Sequence, residues 1–290
     1  MLQDIKYTSP ETIADAAALL GEYGEDATVM SGGQSLMPML RQRLADYELL
    51  IDINEVADRD YLRVDDDELR IGCLVRHTDV ANSDTVAESC ETLAETAAEI
   101  GDTQVRNRGT LCGALAHADP AGDPPVVATA LDAEIKSQGP DGEHTYDGSS
   151  FFHGFYETEL GENEIVTEAS FPVVEPPYGA AYQKYEPSAG AYPTATVAAV
   201  VELDDSVVTD ATLVTGAIEP GPTPMPEAEA HLAGETPTED LVTTTAELVG
   251  DGSDPMEDSD GSVEFKREIT KTLAKRALVT AIDRAGGDIE

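Results

Sequence analysis

The 290-residue chain reads as an α+β protein. It is expected to have an N-terminal domain of two small subdomains, then a C-terminal domain made of a small antiparallel sheet plus helices. Three observations predict this. The first ~55 residues alternate strand and helix patterns around a glycine loop. A proline-rich junction, Pro172 to Pro177, follows a strand pattern and marks a domain boundary. Beyond it, two apolar runs flank an Asp204-Asp205-Ser206 turn before the pattern becomes helical to the end.

Taken in order, Ser9-Pro10-Glu11 is a helix start: a Ser cap, proline in the first turn and an acid at the positive end of the dipole. Ile13, Ala17 and Leu20 repeat at helical spacing, and Gly21 or Gly24 ends the helix. Ala27 to Met30 is a short strand running straight into Gly32-Gly33, and Glu48 to Ile53 is another. Residues 1–55 thus form a β-α-β subdomain, and residues 56–176 the second subdomain. There, Glu68 to Val75 is a strand, and Asp84 caps one helix whose inward face is Val86, Cys90, Leu93, Ala97 and Ile100. Gly101 stops that helix. A small-residue helix from about Pro124 to Leu131, a turn at Gly139-Pro140-Asp141-Gly142 and a strand from Glu164 to Phe171 complete the domain. In the C-terminal domain, residues 177–290, Thr196 to Leu203 and Ala211 to Ile218 pair as strands. Pro220, Pro222, Pro224 and Pro226 give an extended connector. Two or three helices follow, the last from about Ser262 to Arg284 and burying Ile269, Leu273 and Ala277. No internal repeat is present.

Composition narrows the function. Hydrophobic residues make up 41% of the chain, enough for a normal core. The formal charge is −41, from 17 basic and 58 acidic residues. Such a surface repels nucleic acid and anionic lipid, so neither partner is expected. An acid-rich chain with 6 Lys against 11 Arg stays solvated at high salt, where its self-repulsion is screened. A halophilic source and poor stability in dilute buffer are therefore predicted. Cys73, Cys90 and Cys112 lack any C-x-x-C pairing, so the chain has no framework for a structural zinc or an iron–sulfur cluster. His77, His117, His144, His153 and His231 show no metal spacing either. The N-terminal segment has no basic n-region and no stretch is long enough to span a membrane, so a cytoplasmic location is expected.

Two loops carry the chemistry. Gly32-Gly33 after a strand lets the backbone approach a ligand and aims N–H groups at an anion, with Gln34 and Ser35 as neutral donors. Neither a G-x-G-x-x-G fingerprint nor a Walker loop is present. The second loop, Thr103 to Asp123, is polar and turn-rich with two aspartates. Arg41 and Arg43 follow the first loop, and Arg106 and Arg108 sit in the second. Four arginines in so acidic a chain suggest an anion or an acidic partner patch, with ordinary surface ion pairing as the alternative. Asp65-Asp66-Asp67 reads as solvated surface. Five basic residues on the last helix, Lys266, Arg267, Lys271, Lys275 and Arg276, suggest a face for an acidic partner, again with local ion pairing as the alternative.

Ser31-Gly-Gly-Gln-Ser-Leu-Met-Pro38 resembles the A-G-G-x-S-L-x-P loop of the flavoprotein subunits of molybdenum hydroxylases. Gln104-Val-Arg-Asn-Arg-Gly-Thr-Leu-Cys-Gly-Ala114 resembles their Q-x-R-x-x-G-T-x-G-G-N loop, and Asp119-Pro-Ala-Gly-Asp123 the D-P-x-x-D that follows. Arg70 to His77 is similar to I-G-A-x-T-x-H, and Lys184 with Gly190-Ala-Tyr-Pro-Thr-Ala195 to K…G-D-Y-A-T-A. The resemblance covers essentially the whole chain, in order. It implies a vanillyl-alcohol-oxidase-like (PCMH-type) FAD domain followed by a carbon monoxide dehydrogenase flavoprotein-type C-terminal domain, with FAD bound noncovalently. It implies that Ser31, Gly32, Gly33, Gln34, Ser35 and Leu36 bind the pyrophosphate. Thr110, Cys112, Gly113 and Ala114 would form the opposing phosphate and ribityl loop, and Asp123 would accept a hydrogen bond from the ribityl or adenosine side. Ile100 would lie against the cofactor, Ile165 or Val166 on the adenine region, Lys184 near the flavin ring and Tyr192 over one ring face. No residue of this chain is assigned as catalytic or as a metal ligand. The molybdenum cofactor would belong to a large subunit and [2Fe-2S] clusters to a small one, in a dimer of heterotrimers. Three positions depart from the pattern: Cys112 stands for glycine, Ala114 for asparagine and Ala191 for aspartate. On this reading Cys112 denies its position free access to positive φ. A stand-alone flavin oxidase, or an assembly subunit with impaired FAD binding, are the rival readings.

Overall fold

The computed structural model describes residues 4–290. The first three residues of the N-terminal segment read above for targeting lie outside them. Strands β1 (Lys6–Thr8), β2 (Ala27–Met30) and β3 (Leu49–Asp52) form a parallel sheet in the order β1-β3-β2. Helices α1 (Ile13–Tyr23) and α2 (Leu36–Gln42) make the crossovers that parallel pairing requires. α1 starts later than the Ser-Pro-Glu signal. Thr12 caps it, accepting from the Asp15 N–H at 3.1 Å, while the Ser9 hydroxyl is donated to the Asp52 carbonyl at 3.2 Å. Gly24, at φ 56°, ends it. β1 escaped the pattern reading because Lys-Tyr-Thr carries no apolar alternation.

The second subdomain contributes strands β4 (Leu62–Asp65), β5 (Glu68–Gly72), β6 (Glu134–Gly139) and β7 (Gly142–Asp147). After these come a small hairpin, β8 (Phe152–Gly154) and β9 (Glu157–Thr158), and then β10 (Ile165–Pro172). All but the hairpin form an antiparallel sheet in the order β4-β5-β10-β6-β7. The aspartate run is the β4–β5 turn: Asp66 and Asp67 take φ of 52° and 63°, the mirror-image turn that matches strand twist. Leu69, Ile71, Ile135, Ala169 and Phe171 point to one face and join the core. The opposite face is polar, where Lys136 donates to the buried Glu168 at 3.0 Å.

Seven helices accompany this sheet: α3 (His77–Ala81), α4 (Asp84–Ser89), α5 (Glu91–Glu99), α6 (Thr103–Arg106), α7 (Leu111–His117), α8 (Asp123–Ala130) and α9 (Gly148–Phe151). The single helix expected from Asp84 is therefore two. Cys90, at φ −155° and ψ 80°, breaks it, and Ser83 is the cap of the first piece. The apolar spacing survives the break because Val86, Cys90, Leu93 and Ala97 are all buried.

After a cis Pro176–Pro177 peptide, strands β11 (Tyr178–Tyr185), β12 (Ala195–Asp204), β13 (Val207–Gly216) and β14 (Thr223–Pro224) form an antiparallel sheet in chain order. The expected extended connector thus supplies a short edge strand, a position that tolerates proline. Helices α10 (Pro226–Leu232), α11 (Glu239–Gly252) and α12 (Val263–Arg284) pack on this sheet. Strand alternation divides its side chains. Ala180, Tyr182, Ala198 and Val214 enter the core of the N-terminal half, while Ala181, Val197, Ala199 and Leu213 enter that of the helices. One face of the C-terminal sheet therefore closes over the N-terminal half.

α12 buries Leu273 and Ala277 and leaves Ile269 half-buried. Of its five basic residues between Lys266 and Arg276, four are engaged within the chain. Lys266 donates to Asp258 at 2.6 Å and Arg267 to the Ser253 carbonyl at 3.1 Å. Lys271 pairs with Asp251 at 2.9 Å and Lys275 donates to Thr243 at 3.0 Å. Local pairing thus accounts for most of this face, and Arg276 remains exposed.

Candidate functional site

The two glycine loops meet. The first leaves β2 at Ser31 and enters α2 at Leu36; the second enters α7 through its cap, Thr110. Thr110 Oγ1 accepts from the Gly113 N–H at 3.1 Å and lies 2.9 Å from Ser31 Oγ. A Cβ on Gly32 would lie 2.5 Å from the Arg108 carbonyl oxygen and 2.7 Å from Gly109 Cα, so no other residue fits that contact. Gly33 takes φ 70°, and Gln34 Nε2 donates back to the Gly32 carbonyl at 3.4 Å. Gly113 is also tightly placed, against side chains rather than backbone: a Cβ there would lie 2.5 Å from Thr110 Oγ1 and 2.9 Å from Ser31 Oγ.

Cys112 behaves differently from the expectation. It sits inside α7, is absent from the positive-φ residues, and needs no backbone freedom that cysteine lacks. Its side chain is buried, with Sγ 3.7 Å from the Ile71 carbonyl, so it faces the core. Burial, with Cys73 and Glu168 nearby, pushes its thiol well above the ordinary range. Ala114 is half-buried on the same helix. Beneath the second loop lies His77, 4% exposed, whose backbone N–H donates to the Gly109 carbonyl at 2.9 Å. Burial, then Arg106 and Arg76, lower its pKa to about 4, so the imidazole is neutral.

The four arginines do not converge. Arg41 and Arg43 are exposed at the far end of α2, Arg43 as its left-handed cap. The Arg106 guanidinium donates to the Ile100 and Gly101 carbonyls, each at 3.0 Å, and so shapes the chain around Ile100. Arg108 points outward.

Asp123 opens α8 and is buried. It accepts from Lys184 Nζ at 3.3 Å and from the Tyr182 hydroxyl. Lys184, with a side chain 5% exposed, also donates to the Glu99 carbonyl at 2.8 Å. Burial raises the Asp123 pKa and Lys184 opposes that rise; Tyr182 is raised by burial and by Asp123. Sequence reading did not find Tyr182. It stands two residues before Lys184 on β11, so strand alternation puts both on one face.

Asp119 gathers a second cluster. Tyr156, at the β8–β9 tip with φ 57°, brings its hydroxyl within 3.5 Å of Asp119, and its ring centroid lies 5.1 Å from that of His117. Tyr192 comes from the β11–β12 loop. The residue is 61% exposed, yet its pKa rises to about 12 through the loss of solvent around the hydroxyl and the nearness of Asp119. Ile165 and Val166 lie apart from this cluster, on β10. They pair with Gln138 and Ser137 of β6 and are closed off in the core. Among the described residues no group of three His, Cys, Asp or Glu side chains is placed to hold a metal ion.

Comparison with known proteins gives the same architecture. Residues 3–174 match the family of the FAD binding domain in molybdopterin dehydrogenase, and residues 180–281 that of the CO dehydrogenase flavoprotein C-terminal domain. The chain is 33% identical over 276 residues to the carbon monoxide dehydrogenase medium chain of Hydrogenophaga pseudoflava, covering 95% of this chain and 96% of that one. It is also 33% identical over 275 residues to the glyceraldehyde dehydrogenase medium chain of Sulfolobus acidocaldarius, covering 95% and 97%. Among solved structures, carbon monoxide dehydrogenase from Hydrogenophaga pseudoflava lacking the Mo-pyranopterin moiety of its cofactor superposes with a TM-score of 0.95 at 34% identity, covering 98% of this chain and 99% of that chain.

Proposed function

Because the chain belongs to the family of FAD-binding medium subunits of molybdenum hydroxylases, we propose that it is the electron-transferring flavoprotein subunit of a heteromeric complex. Bound FAD supplies the redox chemistry that links a [2Fe-2S] subunit to an external acceptor. Substrate oxidation belongs to a large molybdenum-binding subunit, in a dimer of heterotrimers. We assign residues 1–176 to the FAD domain and 177–290 to the C-terminal domain.

The observation that carries this reading is the loop junction. Ser31 and Thr110, 79 residues apart, share a hydrogen bond of 2.9 Å. Helix α7 begins directly after Thr110, and α2 begins at Leu36, at the end of the loop that Ser31 opens, so free N–H groups of both helix starts border the junction loops. Such a junction suits a diphosphate. Ser31 to Leu36 and Thr110 to Ala114 would bind it, mainly through backbone N–H groups, and the Ala114 departure then removes one side-chain donor. Asp123 would accept from the ribityl or adenosine side, while Lys184, Ile100 and Tyr192 would border the ring. Ile165 and Val166, closed in the core, would reach the adenine region only through the chain beside them. The strongly acidic surface supports a protein working at high salt. No helix among the described residues is long and apolar enough to cross a membrane, and we place the complex in the cytoplasm.

An absorption spectrum of the chain in high salt, alone and with its partner subunits, tests the reading. Flavin bands with about one FAD per chain are expected. A colourless protein in the assembled complex, even after FAD is added, would overturn it and favour an assembly subunit.

A further inference from the structure

We propose that Asn54 and Arg76 are positioning residues of the clamp, fixing the peptide planes on both sides of the point where the two glycine loops meet. The proposal deepens the FAD reading above and rests on it.

Asn54 follows β3 and Arg76 follows β5, so each comes from a different subdomain. Asn54 Nδ2 donates to the Ser31 carbonyl at 2.8 Å. Arg76 Nη1 donates to the Arg108 carbonyl at 2.7 Å, and Nη2 donates to Asn54 Oδ1. One continuous hydrogen-bonded clasp therefore runs from the first loop to the second. Its two carbonyl ends lie in the peptides that lead into Gly32 and Gly109, the residues in close contact across the loops. A trans peptide is planar, with its carbonyl and N–H on opposite edges. Holding the Ser31 carbonyl toward Asn54 therefore turns the Gly32 N–H to the other side, away from the clasp.

Both members of the clasp are anchored. The Asn54 N–H donates to Asp52 Oδ1 at 2.9 Å, and Asp52 Oδ2 accepts from the Tyr7 hydroxyl at 2.8 Å. Arg76 pairs through its backbone with Thr110, the cap of α7, while the next residue's N–H donates to the Gly109 carbonyl at 2.9 Å. The residue types follow from the task. Asn54 must donate to one group and accept from another, which an amide does. Arg76 reaches its two acceptors from separate nitrogens, Nη1 and Nη2, held apart in a rigid planar fork, whereas an ammonium presents its donors from one nitrogen on a flexible stem and cannot span the same two positions in that geometry.

The test compares the full chain in its complex with Arg76→Lys, Asn54→Ala and the double variant, at constant high salt. Two quantities are read: the FAD dissociation constant by flavin fluorescence, and hydrogen exchange of the segments 31–36 and 106–111 in FAD-free protein. Each single substitution is expected to weaken FAD binding by about ten- to a hundredfold, the range for losing a charge-assisted hydrogen bond. Arg76→Lys keeps the charge, so a loss there reports the fork. Exchange should rise in both segments in either variant, and the double variant should be little worse than the worse single, because both belong to one clasp. Unchanged exchange in a folded Arg76→Lys, or losses that add, overturns the clasp. A wild-type complex that takes up no FAD overturns the functional reading instead, and loop exchange still decides the clasp.

Discussion

At the scale of single residues, burial decides which side chains carry energy. Asp123 and Lys184 are both nearly closed to solvent and meet at 3.3 Å. Removing one partner strands the other's charge, so Lys184→Met should destabilise the FAD-free chain by about 3–5 kcal/mol. Urea unfolding at fixed high salt reads this directly. Lys184→Met/Asp123→Leu should recover most of the loss, and a single variant as stable as wild type would refute the pairing. His77 gives a pH signature. Its pKa is held at about 4 against an ordinary 6.5, so between those values the unfolded chain binds a proton that the folded chain refuses. Stability is then lost as pH falls, at about 1.4 kcal/mol per unit. From pH 7 to 5 the wild type should lose about 2 kcal/mol more than His77→Gln, which has nothing to titrate there. Equal losses in the two proteins would show that the imidazole is free to ionise in place.

At the scale of elements, what the sequence disclosed and what it hid divide by range. The α+β class, the glycine loop after β2, the β12–β13 hairpin and the span of α12 rest on local spacing and turn chemistry, and all are legible. The break at Cys90 is not, because a buried cysteine keeps the apolar spacing while its backbone leaves the helix. β1 is not legible because a three-residue parallel strand exists only through its pairing with β3. The same distinction runs through the site. Both loops show in the sequence because glycine and threonine at fixed offsets are local signals. Arg76 and Asn54 do not show, because they acquire meaning only when two subdomains dock. Cys112 looked like a departure that costs conformational freedom, and its helical position removes that cost. Ile165 and Val166 are named by the family resemblance alone, and the fold buries their side chains in the core. The basic residues of α12 form a pattern in sequence, but Asp251, Asp258 and Thr243 approach from elsewhere in the chain and engage them.

At the scale of the whole molecule, one quantity governs behaviour in solution. The 58 acidic and 17 basic residues leave a charge of −41 on a chain of 290 residues. At about 0.1 M salt the screening length is about 10 Å, so each carboxylate repels well beyond its immediate neighbours. At about 1 M it falls to about 3 Å, within which mainly the paired charges still interact. Compactness raises the density of like charge, so the folded state gains more from screening than the expanded one. The midpoint of thermal unfolding should therefore climb steeply as KCl is raised from 0.1 M toward 1 M and flatten above it. The size of the cation separates screening from specific binding. Tetramethylammonium chloride should serve nearly as well as KCl if screening is the cause, since no carboxylate cluster need coordinate the ion. A rise with KCl but none with tetramethylammonium would replace screening with cation binding. A midpoint that stays level or drops in both salts would mean that the surface charge does not limit this fold.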